Sequence, residues 1–108
     1  MIAKIIIKRR FKEGNTRQIL ALLNELRSRA MHQPGYISGE TLTKKGYPNN
    51  MVVIATWQSM EDWHEWRQNK ERKKFEAMLD VFQERPADYE EYLLGTPLSI
   101  DEKKVATT

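Results

Sequence analysis

Three tryptophans lie within ten residues and form the densest group of chemically useful side chains in this 108-residue chain. Trp57, Trp63 and Trp66 follow an aliphatic stretch, and each indole N–H requires a hydrogen-bond partner when it is buried. Such a cluster can form the wall of an apolar pocket for a flat organic ligand, or it can fill a core. Both interpretations require a sheet and a helix to meet at this point.

Few side chains suit a metal ion, because the chain has two His and no Cys. Glu61, His64 and Glu65 share a helical face at i, i+3 and i+4, where a divalent ion could bind in principle. A solvated face of an amphipathic helix is the more ordinary explanation. His32 stands at a predicted helix end, where a cationic side chain interacts favourably with the helix dipole. We therefore expect no metal site.

Motifs for nucleophilic catalysis and phosphate binding are missing from the sequence. Ser38, Ser59 and Ser99 lie in no Gly-x-Ser-x-Gly motif, and no Gly-rich loop could hold a phosphate. The basic residues 8–12 could contact phosphates, but RNA-recognition sheets stack bases on aromatic residues. The candidate strands here carry Ile and Val instead. Nucleic acid is therefore not an expected partner.

Apolar runs are short throughout the chain. The longest have five residues, 19–23 and 51–55, whereas crossing a bilayer requires about 20. The N-terminus shows no secretory signal pattern, and the chain carries a formal net charge of only +3. We expect no membrane partner and a cytoplasmic location.

Hydrophobic periodicity predicts a strand, a long helix and two further strands in the first half. Residues 5–7 are all Ile, which indicates a strand covered on both sides, and its basic end is expected to run into solvent. Asn15 with Gln18 three residues later predicts a capping box for a helix over 16–31. Strands are predicted over 36–43 and 51–57, joined by a loop.

The second half is predicted to contain two short helices rather than one. Ser59 predicts the start of a helix that carries Trp63 and Trp66 on its apolar face. The apolar residues of 75–82 lie about 140° away around a continuous helix, so one straight helix cannot bury both sets. We therefore predict a break at residues 68–69, with Asn69 as a new N-cap.

A last strand is predicted over 88–94, which completes the order strand, helix, strand, strand, helix, strand. This is an α+β, ferredoxin-like βαββαβ topology with a four-stranded antiparallel sheet and helices on one face. We divide the chain into a domain over 1–94 and a C-terminal tail over 95–108. Because the first and third strands are apolar on both faces, the second face requires a cover, and we predict a homodimer.

The chain resembles the antibiotic biosynthesis monooxygenase family of dimeric α+β barrel proteins. The resemblance is carried by segments 34–42 and 53–63, Trp66, and residues 71–72 and 89–92. It implies a dimeric barrel and covers nearly all of residues 1–94. The family includes cofactor-free oxygenases of polycyclic or quinol-like substrates, haem-degrading enzymes, and members without known activity.

The haem-degrading branch of this family implies an Asn, a Trp and a haem-ligating His. The corresponding positions in this chain are Ile7, Trp66 and Glu76, so only the Trp matches. A carboxylate is a poor substitute for imidazole on haem iron, and His64 lies on a different predicted helix. The sequence therefore argues against haem degradation and for chemistry without a cofactor.

A cofactor-free oxygenase must hold an electron-rich phenol or quinol, assist its deprotonation and let the anion react with O2. We expect Trp57, Trp66 and Tyr36 to form the walls, with Glu40 as a further substrate-binding group. Trp66, His64 and Asn50 are the candidate catalytic residues. The prediction is a homodimeric monooxygenase-like protein for a small aromatic substrate, without cofactor or metal. The alternatives are a non-catalytic ligand-binding or interaction module and, further, a haem-binding or haem-degrading monooxygenase.

Overall fold

A computed structural model describes residues 1–95 of the chain. The predicted tail, apart from Gly95, lies outside the described residues. In chain order the elements are β1 (Ala3–Arg10), α1 (Thr16–Met31), β2 (Tyr36–Lys44), β3 (Tyr47–Trp57), α2 (Met60–Arg67), α3 (Lys70–Asp80) and β4 (Asp88–Leu93). The α+β fold with βαββαβ order is confirmed, with α2 and α3 together in the place of the second helix.

The four strands form one antiparallel sheet in the order β2-β3-β1-β4. In the centre of the sheet, Ile7 of β1 lies opposite Val53 of β3 and Tyr89 of β4. Side chains alternate along each strand, and the alternate residues of β1 from Ala3 to Arg9 are buried. The helices therefore cover one face of the sheet, and the core lies between the two layers.

The hairpin between β2 and β3 is tighter than the predicted loop over 44–50. Lys44 pairs directly with Tyr47, so only two residues form the turn. Gly46 has φ +84°, a conformation that glycine adopts without a steric penalty. Pairing continues to the turn because this glycine reverses the chain within two residues.

The start of α1 differs from the predicted capping box. Asn15 is the N-cap residue, but its side chain makes no capping hydrogen bond. Its φ of 59° is left-handed, whereas a capping side chain needs an extended backbone to reach the helix N–H groups. Gly14 also has a positive φ, so the tight turn after β1 uses Asn15 for its backbone conformation.

The predicted break between α2 and α3 is confirmed. Ser59 Oγ accepts a hydrogen bond from Asp62 N at 3.1 Å and begins α2. Asn69 Oδ1 accepts from Glu71 N at 2.8 Å and from Arg72 N at 3.3 Å, and it begins α3. With a break between them, α2 and α3 bury two differently oriented apolar faces, one with Trp63 and the other with Leu79.

The sheet face away from the helices carries an apolar row across its middle. Ile6 pairs with Ile54, and Val52 pairs with Leu42, of which the last is 45% exposed. Charged side chains such as Lys8 and Glu90 flank this row. No helix within residues 1–95 is both long and apolar enough to span a bilayer.

Candidate active site

A cavity of about 280 Å³ lies between the helices and the covered face of the sheet. It is bounded by α1 on one side, by strands β1, β2 and β3 on the other, and by α2 and α3 at the end. Its volume is near the lower end of the range for small-molecule sites, about 300–1,000 Å³. The side chains that line it include Ile7, Arg9, Arg27, Ala30, Tyr36, Trp57, Trp63, Trp66, Arg72 and Glu76.

One part of the wall is aromatic. The rings of Tyr36 and Trp57 meet edge to face, with centroids 5.4 Å apart, and Trp57 contacts Trp63 with centroids 6.1 Å apart. Trp66, which is 5% exposed, adds a further indole. Trp57 is buried and its Nε1 has no hydrogen-bond partner. A flat apolar ligand in the cavity would make dispersion contacts with these rings.

Another part of the cavity wall is charged, because it holds a buried ion-pair network. Arg9 donates from Nη1 and Nη2 to the two carboxylate oxygens of Glu76, at 2.7 and 2.6 Å. Arg72, one turn earlier on α3, donates from Nη2 to Glu76 Oε2 at 3.2 Å and also to the Tyr89 hydroxyl. The cavity wall thus holds two guanidinium groups around one carboxylate.

The protonation states of the network follow from its geometry. Burial by itself raises the pKa of Glu76, but hydrogen bonds and charge from Arg9 and Arg72 outweigh it, so the pKa lies below its ordinary value. Burial likewise opposes the charge on Arg9, yet Glu76 holds the Arg9 pKa above its ordinary value. Glu76 is therefore a carboxylate at neutral pH and is poorly suited to act as a general base.

Sequence reasoning did not place Arg9 and Glu76 together on the wall of the cavity. The expectation that the basic end of β1 runs into solvent is wrong for Arg9, which is 6% exposed. Alternation along β1 places Arg9 on the same face as Ile5 and Ile7, and this pattern was visible in the sequence. Arg72 and Glu76, spaced i and i+4, were a second available signal.

The predicted site residues divide into two groups. Tyr36, Trp57 and Trp66 line the cavity together. Glu40 pairs with Ile54 and Asn50 pairs with Arg10, on the sheet face away from the helices, and neither lines the cavity. The structure therefore brings the predicted aromatic wall together but places these two polar residues on the other side of the sheet.

His64 lies outside the cavity as well. Its side chain is 51% exposed, and its Nε2 lies 3.3 Å from Glu91 Oε2. Glu91 also accepts from Trp63 Nε1 at 2.7 Å and from Arg67 Nη1 at 3.1 Å, and the Trp63 hydrogen bond is the main reason that the Glu91 pKa is lowered. This cluster joins α2 to β4, and the place of His64 in it gives that residue a structural role.

Metal-binding groups do not converge in the described part of the chain. Within residues 1–95, no three side chains of His, Asp or Glu are placed to hold a metal ion. Glu61, His64 and Glu65 do share α2, but they do not form such a group.

The residues of the cavity also do not fit a haem. Ile7, Trp66 and Glu76, the positions that correspond to the haem-degrading triad, do line one cavity. The carboxylate of Glu76 is occupied by Arg9 and Arg72, and neither His32 nor His64 lines the cavity. No described side chain of the cavity wall therefore offers the imidazole that haem iron takes as its usual ligand.

Comparison with known proteins identifies a family. The profile of the antibiotic biosynthesis monooxygenase family matches residues 2–78, which is more than half of the chain. A search of curated proteins found no match.

Solved structures share the fold at low sequence identity. SnoaB, a cofactor-independent oxygenase from Streptomyces nogalater, superposes with a TM-score of 0.77 and 12% identity over 88% of this chain and 94% of SnoaB. For Rv0793 from Mycobacterium tuberculosis the TM-score is 0.78, with 14% identity over 89% and 97% of the two chains. A conserved protein from Methanosarcina mazei Go1 gives 0.79, with 12% identity over 85% and 91%. With its fold and family profile in agreement, the chain belongs to the antibiotic biosynthesis monooxygenase family.

Proposed function

We propose that the chain is a cofactor-independent monooxygenase that oxidises a small electron-rich aromatic compound of the phenol or quinol type. The observation that carries this proposal is the cavity with an aromatic wall of Tyr36, Trp57 and Trp66 and a charged end at Arg9 and Glu76. Family membership supports the reaction type, and SnoaB, of the same fold, is described as a cofactor-independent oxygenase.

In the proposed reaction the substrate supplies all the electrons. Deprotonation makes the ring electron-rich enough to reduce O2. One oxygen atom enters the ring, the other leaves as water, and the ring gives up the four electrons required and leaves as a quinone. The aromatic wall would hold the ring flat, and its exclusion of water would strengthen the electrostatic interactions of the site. Tyr36, Trp57 and Trp66 are assigned to substrate binding. Glu40, Asn50 and His64 have no place in this mechanism.

Oxygen uptake with a panel of hydroquinones tests the proposal. The matched variants are Ala30→Met, which extends a side chain into the cavity, and Ala21→Met, which adds the same side chain at an exposed position of α1. We expect Ala30→Met to lower kcat/KM about tenfold, or ~1.4 kcal/mol of transition-state stabilisation, and Ala21→Met to leave it unchanged.

Two results would count against the proposal. One is the absence of protein-dependent O2 uptake with every hydroquinone, and the other is equal activity in Ala30→Met and Ala21→Met. Saturable quenching of Trp fluorescence by a hydroquinone without any product would instead support a binding module.

The proposal includes a homodimer joined through the open sheet face. The row formed by Ile6, Ile54, Val52 and Leu42 is apolar, and a second copy of the same face would cover it. Sedimentation of the 12.8 kDa chain should show a dimer at micromolar concentration. Ile54→Lys should shift it to monomer, because the ammonium groups would be buried in the interface. Met78→Lys, at a 45% exposed position of α3, is the control and should remain dimeric.

The proposal also retains the cytoplasmic location predicted from the sequence, and cell fractionation would test it. Recovery of the chain with membranes or in an extracytoplasmic fraction would contradict this part of the proposal and leave the reaction untouched.

A further inference from the structure

The charges on the cavity wall do not balance. Arg9 and Arg72 share the single carboxylate of Glu76, so one positive charge of this buried network is uncompensated. Arg27 adds a guanidinium at the cavity, but it is exposed and hydrogen-bonded to Gly39 O at 3.3 Å, so solvent screens its charge. Among the described residues of the wall, Glu76 is the only acid.

Groups on the neighbouring elements do not cancel this surplus. The Tyr89 hydroxyl of β4 accepts a hydrogen bond from Arg72 and is not a carboxylate. Asp80 of α3 is the other carboxylate that acts on Arg9, but it is exposed and accepts from Gln83 Nε2 at 2.9 Å. Gln83 Oε1 in turn accepts from Arg9 Nη1 at 3.2 Å, and this amide is uncharged. The positive charge therefore remains at the cavity.

Two buried donors of cavity-lining residues also lack an acceptor. Arg9 Nε and Trp57 Nε1 have no hydrogen-bond partner, although their residues are only 6% and 1% exposed. A buried N–H without a partner is destabilising by about 1–3 kcal/mol, so such groups are rare unless something else satisfies them. Both atoms are themselves covered by protein, so a ligand in the cavity would meet the positive charge of the network and not these two N–H groups.

We propose that the cavity binds its aromatic ligand as an anion, a phenolate or enolate, and that the surplus charge of Arg9, Glu76 and Arg72 favours ionisation of the bound ligand. The inference rests on the proposed function for the aromatic ligand and adds its charge state. The ligand proton passes to the buffer, so ionisation requires no free base in the wall. This agrees with a site whose one carboxylate is already held by two guanidinium groups.

An absorbance titration with para-nitrophenol tests the charge preference on the wild-type chain. This phenol changes colour on ionisation, and para-nitroanisole is its uncharged methyl ether of similar shape. We expect bound nitrophenol to ionise about one pH unit lower than free nitrophenol, since one nearby unit charge in a partly buried site has an effect of this order. At a pH where it is ionised, it should bind about tenfold more tightly than nitroanisole.

Two substitutions within the network provide a test with opposite signs. Glu76→Gln leaves both guanidinium groups uncompensated, so nitrophenolate affinity should rise about tenfold. Arg72→Gln removes the surplus, so the affinity should fall by a similar factor. Nitroanisole affinity should change little in either variant. Damage to the fold would lower both affinities in both variants, so the opposite signs separate charge from structure.

The inference would be overturned if bound nitrophenol ionised at the same or a higher pH than free nitrophenol. Equal weakening of nitrophenolate in both variants would also overturn it. The wild-type titration decides the question even if a variant does not fold. Because the probe reports equilibrium binding, anion binding without O2 uptake would support this inference and oppose the proposed function. Oxidation of hydroquinones by a chain that does not prefer nitrophenolate to nitroanisole would support the proposed function and oppose this inference.

Discussion

Replacement of Glu76 by Gln is the sharpest perturbation of the buried network. The substitution preserves the shape of the side chain and removes its charge, so Arg9 and Arg72 lose the carboxylate that they share. The side chains of Arg9 and Glu76 are only 4% and 14% exposed, so water is a poor replacement for the lost partner. We expect Glu76→Gln to destabilise the folded chain strongly even as it favours anions in the cavity.

The size of the effect follows from burial and from the number of bonds. Removing one partner of a buried ion pair typically destabilises a protein by about 3–5 kcal/mol. The amide oxygen of Gln can still accept one of the hydrogen bonds, which places the expected loss near the lower limit, about 3 kcal/mol. For a domain of about 100 residues this corresponds to a Tm lower by about 12–24 °C.

Thermal and urea unfolding at neutral pH, followed by circular dichroism at one fixed protein concentration, would measure this loss. The matched control is Glu25→Gln, which removes an ion pair with Arg29 where the Glu side chain is 54% exposed. Exposed pairs at i, i+4 contribute about 0.3–0.5 kcal/mol, so the control should change little. A Glu76→Gln variant within 1 kcal/mol of the control would refute the account of Glu76 as the buried partner of two guanidinium groups.

Two further predictions concern acid stability and a turn. Because the Glu76 pKa is lower in the folded chain, its stabilisation is present above the unfolded pKa of about 4.3 and is lost as the pH falls through the folded value. Urea unfolding as a function of pH should therefore show a smaller acid loss in Glu76→Gln, and parallel profiles would contradict this. Gly35→Ala should lower Tm more than Gly46→Ala: both residues have φ +84°, but an added Cβ at Gly35 meets the Asp62 carboxylate, whereas the space at Gly46 is open. Equal Tm losses would show that the contact with Asp62 is unimportant.

Much of the fold could be predicted from local patterns. The helical spacing of apolar residues along the 16 residues of α1 and the break at Asn69 both depend on neighbouring residues, and the structure confirms both. The capping role of Asn15 was wrong because a capping motif names residue types and cannot show that the preceding turn forces a left-handed backbone. The hairpin loop was predicted too long for a similar reason, since pairing continues up to Gly46.

The candidate site was predicted only in part. Tyr36, Trp57 and Trp66 were expected to form a wall, and they do line one cavity. Glu40 and Asn50 were chosen by residue type, but strand alternation directs them to the opposite face. A polar residue can contribute to a site only if its strand register directs it there, and register depends on pairing with distant segments.

By itself the sequence determined the element order, the family and the aromatic character of the wall, because each is encoded in nearby residues or in a shared pattern. Only the tertiary structure decided the charge of the site. Arg9 and Glu76 are separated by 67 positions, and they meet because β1 lies in the middle of the sheet beneath α3. Strand alternation indicates that Arg9 shares a face with Ile5 and Ile7, but it does not identify the carboxylate that stabilises the buried charge, because folding brings Glu76 from a distant helix.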